Sequence, residues 1–308
     1  MNSIDQIRLN FSAESLLLLN FLLAFMLFGV ALELRLWHFK YVWQNPRGVL
    51  VGCLAQFIWL PFATYLLVRW LEPTPSIALG MMLIAACPGG NVSNFITSMA
   101  KGNTALSVSL SAVTAVFSIA LTPLNFAFYG DLYEPTRQLL RTIAIDPVDM
   151  LRAVGILLAL PLALGLYVAE RFPAITAKIY QPIRKASMVL FGLFVVAAFA
   201  ANFRFFIDYI HVVVFVVLVQ NTCGFAGGYG LARLAGVPPY DARAVAIESG
   251  IQNSGFGLVL IFTFFGGLGG MAITAAWWGI WHLVAGGGLA WYWSKTPSQP
   301  ISTDLKTQ

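Results

Sequence analysis

Stretches of about 18 or more apolar residues recur from one end of this chain to the other, each long enough to cross the roughly 30 Å hydrocarbon core of a bilayer as a helix. That pattern rules out a water-soluble domain. The chain is 59% hydrophobic and only 10% charged, where a soluble domain carries roughly a quarter charged residues. Continuous spans follow from hydropathy at 15–32, 49–68, 103–129, 151–168, 186–202, 210–234 and 271–293. Two further apolar segments are interrupted: 77–100 is cut by Pro88-Gly89-Gly90, and 240–265 by polar residues around Gly250. The expected fold is an all-α membrane protein of about nine transmembrane helices, with residues 1–308 forming one transmembrane unit.

Cytoplasmic loops hold the excess of Lys and Arg, so the loops orient the chain. With the amino terminus outside, about twelve of the 18 basic residues fall on the inner side, which puts the carboxyl terminus in the cytoplasm. The expected location is a cell inner membrane or plasma membrane, crossed many times. The acidic stretch 131–149 then lands outside as the longest loop. The formal charge of +5 is scattered over short loops and forms no basic run, so no nucleic-acid partner is expected. Cys53, Cys87 and Cys223 are odd in number and lie in apolar stretches, where they read as small hydrophobes and not as a disulfide framework. Residues 1–14 precede the first span, and no small-residue cleavage site closes that span, so it reads as retained.

The interrupted segments are the third and eighth spans. Their odd offset of five means that one copy enters the membrane in the opposite sense to the other, as in an inverted repeat. Each follows a span with mid-membrane amides, Gln56 in one case and Gln220-Asn221 in the other.

In lipid every backbone polar group needs an internal partner, so broken helices persist only where protein or a water-lined cavity satisfies them. Transporters place such breaks at the midplane, where half-helix amino ends attract anions and unwound carbonyls hold cations. The first break, Cys87-Pro-Gly-Gly-Asn-Val-Ser-Asn94, combines a proline without an N–H, two permissive glycines and the neutral oxygens of Asn91, Ser93 and Asn94. The plainer reading is a proline kink closed by its own side chains. The second break reads Glu248-Ser-Gly-Ile-Gln-Asn253, and Glu248 is the one carboxylate deep in a span. An ionised carboxylate at depth costs a few kcal/mol, so it should meet a cation or take up a proton; neighbouring amides or a water pocket would be the plainer answer. Glu248 and Gln252 stand four apart, as do Ser107 and Ser111, and each pair shares a face if helical. Carboxylate, hydroxyl, amide and carbonyl oxygens without a thiolate or imidazole cluster suit a small hard cation such as sodium, and no transition metal. Serine pairs are also ordinary helix-packing contacts in membranes.

The run Pro88-Gly-Gly-Asn-Val-Ser-Asn94 with Ala100-Lys-Gly-Asn-Thr-Ala-Leu-Ser-Val108, together with Ile247-Glu-Ser-Gly-Ile-Gln-Asn-Ser-Gly255, resembles the bile acid:sodium symporter family in its prokaryotic form. The likeness covers nearly the whole chain, and the span holding Trp281-His282 looks like that family's last helix. The resemblance implies a core domain of approximately 47–129 and 208–293, in which two discontinuous helices cross, packed on a panel domain of approximately 15–46 and 150–205. Carried over residue by residue, it implies one sodium site at Ser93, Asn94, Ser107, Ser111 and Glu248. A second would use Gln56, Glu248, Gln252 and the main-chain carbonyls of Ser249 and Ile251. Substrate contacts would fall on Asn91, Asn253 and His282. Familiar prokaryotic relatives carry a small hydroxyl residue where Asn91 stands, and many have ten spans, the first of which this chain looks to lack.

The function expected on these grounds is a sodium-coupled symporter of an organic anion that works by alternating access, with no cofactor beyond sodium as the coupling ion. A proton-coupled carrier of a small carboxylate, in which Glu248 titrates, is the first alternative. An ion-independent exporter of a metalloid or weak acid, with Cys87 as a soft ligand, is the second. An enzyme is not expected, because the sequence holds no nucleotide-binding loop, metal-spaced His/Cys set or hydrolytic acid pair.

Overall fold

The computed structural model describes residues 3–9, 12–33, 43, 46–90, 92–143 and 147–296. Its described elements are helical throughout: α1 (Ala13–Ala31), α2 (Pro46–Leu71), α3 (Pro75–Ala86), α4 (Ser93–Met99), α5 (Thr104–Leu132), α6 (Glu134–Ile143), α7 (Pro147–Arg171), α8 (Pro173–Ala201), α9 (Phe203–Leu234), α10 (Pro239–Gly250), α11 (Ser254–Phe264) and α12 (Gly269–Ser294). Five of these, α1, α2, α5, α7 and α9, are long and apolar enough to cross a membrane. At about 1.5 Å per residue, α8 and α12 also have the length to do so, with 29 and 26 residues.

The two interrupted segments are each a pair of short helices, α3–α4 and α10–α11, and they are built alike. Both begin with a proline at the first turn, Pro75 and Pro239, where the missing N–H costs nothing. Both stop at the break, and the carbonyl freed at each stop is taken by an amide from the preceding long helix. Gln56 donates to the Cys87 carbonyl at 2.7 Å, and Asn221 to the Gly250 carbonyl at 2.7 Å. Asn253 caps α11, the helix that resumes after the second break, accepting from the Phe256 N–H at 3.0 Å. Helix α4, which resumes after the first, has no side-chain cap among the described residues, and Asn103 caps the following helix α5 through the Leu106 N–H at 3.0 Å.

The helices form two sets of close neighbours that also pack on each other, chiefly through α5 against α7. Helix α1 lies along α7 and α8, while α3, α4, α5, α9, α10, α11 and α12 pack on one another. The apolar core of the second group is continuous with the first: Leu19 and Leu23 of α1 and Val154 and Leu158 of α7 are buried in the same cluster as Leu83, Ile84, Phe256, Leu260, Met271 and Trp278 of the second group. A segment before α1 is tied to this group: Asp5 accepts the Ser76 N–H at the start of α3 at 2.9 Å. Leu9 donates to the Gly267 carbonyl, and Gly269 to the Ile7 carbonyl.

Some expectations need correction. The stretch 131–149 is not an open loop, because residues Glu134–Ile143 form α6, which packs its apolar residues Leu139 and Leu140 on the core and turns Arg137 towards Asp131 and Glu134. The span expected at 186–202 starts earlier, at Pro173, and runs through Pro182. Arg243, one of the basic residues counted with the inner loops to orient the chain, sits inside α10 with 4% of its surface exposed. Within α2, residues Ala55–Trp59 form a π turn, a local widening that apolar patterning does not reveal.

Candidate functional site

The two breaks meet and hydrogen-bond to each other. The Gly90 N–H donates to the Ile251 carbonyl at 2.6 Å and the Asn253 N–H to the Pro88 carbonyl at 2.9 Å, so the unwound segments satisfy one another's backbone. Close approach is possible because Gly89 and Gly90 lack side chains. A Cβ on Gly90 would stand 2.8 Å from the Gln252 carbonyl oxygen, and one on Gly89 would stand 2.7 Å from Cδ of Glu248.

Glu248 lies in the last turn of α10, fully buried, directly behind this crossing. Ser93 donates to its Oε2 at 2.6 Å and Ser111 to the same oxygen at 3.0 Å. Ser111 also approaches Asn94 Oδ1 at 3.3 Å, which accepts from Ser107 at 2.8 Å. The five residues of the first expected ion site thus form one connected cluster of buried oxygens, supplied by α4, α5 and α10. Ser107 and Ser111 do share a face of α5, as their spacing implies. Two members escaped the sequence reading. Thr114, one further turn along the same face of α5, approaches Glu248 Oε1 at 3.4 Å, and Thr97 donates to Ser107 at 3.2 Å. The stripe Ser107, Ser111, Thr114 at i, i+4, i+7 is the signal that would have found the first of these.

The second expected set is also close together but differently connected. Gln56 and Gln252 form a reciprocal amide pair, at 2.8 Å and 3.1 Å. Gln252 also donates to the Ser249 carbonyl at 2.9 Å. Glu248 and Gln252 do not share a helix face, contrary to the spacing argument, because α10 ends at Gly250 and Gln252 stands in the unwound segment. Among the described residues, the side-chain hydrogen bonds of Glu248 come from Ser93, Ser111 and Thr114 and none from the second set.

On the other side of the crossing is a cavity of about 500 Å³. Gly90, Gln252, Asn253 and Ser254 form its polar end, Ala275, Ala276, Gly279 and His282 of α12 one wall, and Met26 of α1 with Gly192 of α8 the opposite side. Asn253 and His282 therefore both face it, and Nδ1 of His282 is buried without a hydrogen-bond partner among the described residues. Asn91 lies outside the described residues. Cys87 is buried at the end of α3 beside Gly257, while Cys53 and Cys223 are only half-buried. Among the described residues there is no group of three or more His, Cys, Asp or Glu placed to hold a metal ion.

Long apolar helices and a pair of crossed, broken ones with buried oxygens behind the crossing define a multi-pass membrane transporter of the secondary type. The comparison with known proteins gives the family. Residues 20–208 match the Sodium Bile acid symporter family, and the chain belongs to it. An uncharacterized sodium-dependent transporter of Bacillus subtilis (strain 168), YocS, is 30% identical over 273 residues, covering 89% of this chain and 82% of its own. The probable sodium/metabolite cotransporter BASS1, chloroplastic, of Arabidopsis thaliana is 26% identical over 89% of this chain and 66% of its own. The ileal sodium/bile acid cotransporter of Cricetulus griseus is 28% identical over 77% of this chain and 66% of its own. The chain thus spans just under two thirds of the length of the last two. It is a transporter of a sodium-coupled family and not an enzyme.

Proposed function

We propose that this protein is a symporter that couples sodium entry to the uptake of an organic anion by alternating access. The observation that carries the reading is the buried oxygen cluster of Glu248, Ser93, Ser111, Asn94 and Ser107, built from both halves of the chain. Serine hydroxyls rotate. Turning their protons outward presents lone pairs to the cluster centre, so a sodium ion can be held there by one carboxylate and neutral oxygens with little backbone motion. The Gln56–Gln252 pair, with the carbonyls of Ser249 and Ile251, would supply a second sodium site on the opposite side of Glu248. The carboxylate would then be shared between two ions that offset its burial.

The organic anion would occupy the cavity beyond the crossing and meet Asn91, Asn253 and His282. The helices α1, α7 and α8 would act as the panel, approximately 15–46 and 150–205, and the remainder as the core, approximately 47–129 and 208–293. The matched architecture of α3–α4 and α10–α11 supports an inverted repeat within nine spans, with the amino terminus outside and the carboxyl terminus in the cytoplasm. Coupling then requires that sodium and substrate prefer the same arrangement of core and panel.

The test is a thermal-stability screen of the purified protein against organic acids, each in sodium and in potassium salt of equal ionic strength. Stabilisation by an acid that requires sodium is expected. An acid that stabilises equally in potassium, and more strongly as pH falls, would replace the reading with proton coupling.

A further inference from the structure

We infer that Arg243 is a positioning residue for the first ion cluster, holding α4 in register so that Ser93 and Asn94 meet Glu248. The inference rests on the ion-site reading above and extends it to a residue about 7.5 Å of helix away from the carboxylate.

Helix α4 is only seven residues long, too short to be stable by its own hydrogen bonds. It runs antiparallel to α10, and the two are joined at both ends. At the crossing, Ser93 at the start of α4 donates to Glu248 near the end of α10. At the far end, Arg243 of α10 donates through Nη1 to the carbonyl of Ala100, the residue that closes α4, at 2.8 Å. The same nitrogen reaches the Trp293 carbonyl in the last turn of α12 at 3.1 Å, and Nη2 reaches the Thr296 carbonyl and hydroxyl at 2.9 Å and 3.0 Å. The guanidinium also lies over the Trp293 ring, 5.7 Å from its centre. One buried cation thus binds the carbonyl ends of two helices, where the helix dipole favours positive charge, and no carboxylate forms an ion pair with it among the described residues.

The planar fork of Arg is needed for this, because it offers several donors in fixed directions where a Lys offers one compact charge. The turn that follows α4 is joined to α10 as well. Asn103 N–H donates to the Tyr240 carbonyl at 3.1 Å, and its side chain donates to Asp241 at 2.8 Å. Those bonds anchor the turn and the start of α5, whereas among the described residues it is Arg243 that joins the carbonyl closing α4 to the last turn of α12. Releasing that end lets α4 slide or tilt, and its other end carries two of the five cluster oxygens.

The experiment measures the sodium concentration that half-maximally raises the unfolding temperature, in wild type and in Arg243→Gln and Arg243→Lys, with potassium as the balancing ion. Arg243→Gln is expected to raise that midpoint about tenfold, since hydrogen bonds to charged groups are individually strong, and Arg243→Lys by an intermediate factor. A purely structural role predicts a lower unfolding temperature in both salts with the sodium midpoint unmoved, and that result overturns the inference. If Arg243→Gln does not yield folded protein, Arg243→Lys decides by the same criterion: a midpoint several-fold higher supports the role and an unchanged one refutes it. Absence of any sodium effect in wild type would instead refute the ion-site reading itself.

Discussion

Replacing Glu248 by Gln keeps the shape of the buried side chain and removes its charge, which isolates what the charge does. A carboxylate and a sodium ion about 4 Å apart between charge centres attract by about 4 kcal/mol at an effective dielectric constant of about 20. At about 1.4 kcal/mol per decade, losing that attraction weakens sodium binding by about three orders of magnitude. The assay is the rise in unfolding temperature on sodium titration, with potassium keeping ionic strength constant. At a sodium concentration about 100 times its dissociation constant, wild type gains about 2.7 kcal/mol. The variant, then at about a tenth of its own constant, gains less than about 0.1 kcal/mol. Removing the charge also removes its desolvation cost, so the variant in potassium should be at least as stable as wild type. That second expectation separates a lost ion from a damaged fold. A sodium midpoint within about threefold of wild type would refute the reasoning, because no arrangement of neutral oxygens replaces a shared negative charge at that cost.

Gly89→Ala places a methyl group 2.7 Å from Cδ of Glu248 and nearer still to Oε1, so the carboxylate must shift; the sodium midpoint should rise at least about tenfold, and an unchanged titration would show that the carboxylate's position is not critical. Gln252→Ala breaks the amide pair with Gln56 and the bond to the Ser249 carbonyl; it should raise the sodium midpoint about three- to tenfold, and an unmoved midpoint would remove Gln252 from the second site. Asp5→Ala removes the acceptor for the Ser76 N–H at the start of α3, where Thr74 makes no side-chain cap; it should cost about 1 kcal/mol, or about 2 °C, in either salt. A change in the Asp5→Ala sodium midpoint would contradict its assignment as a cap remote from the ions.

Much of this arrangement was legible in the residues, and the exceptions have physical reasons. Pro88-Gly89-Gly90 and the depth of Glu248 marked the crossing because lipid makes a broken helix or an isolated charge expensive, so neither occurs idly. Ser107 and Ser111 were legible because a long unbroken helix carries the 3.6-residue period faithfully. The shared face of Glu248 and Gln252 was conditional on a helix through both, and that condition fails because α10 stops two residues before Gln252. Arg243 was read as a loop charge because hydropathy assigns any Arg near a span's end to water, whereas here three carbonyls solvate it. The π turn that sets Gln56 against the Cys87 carbonyl leaves no mark in composition, since it changes the register and not the residue types. Helix α6 was missed because its polar and charged residues together outnumber its apolar ones, although Leu139, Leu140 and Ile143 form the stripe that packs.

The bonds at the two ends of α12 constrain how such a transporter can move. At one end the segment before α1 is bonded to Gly267 and Gly269 and, through Asp5, to the start of α3. At the other, Arg243 joins the last turn of α12 to α4 and α10. In between, α12 supplies one wall of the cavity. Both broken helices and that wall are therefore tied into one body, and a displacement of any one of them would break charge-assisted or buried backbone bonds at about 1–3 kcal/mol each. The opposite side of the cavity, at Met26 and Gly192, belongs to α1 and α8, which are held mainly by each other and by α7. On the proposed reading, the motion that leaves the oxygen cluster and crossing intact is a swing of α1, α7 and α8, which must part α7 from α5 and pivot at the bonded segment before α1, so that sodium acts by fixing the geometry of a wall it does not touch.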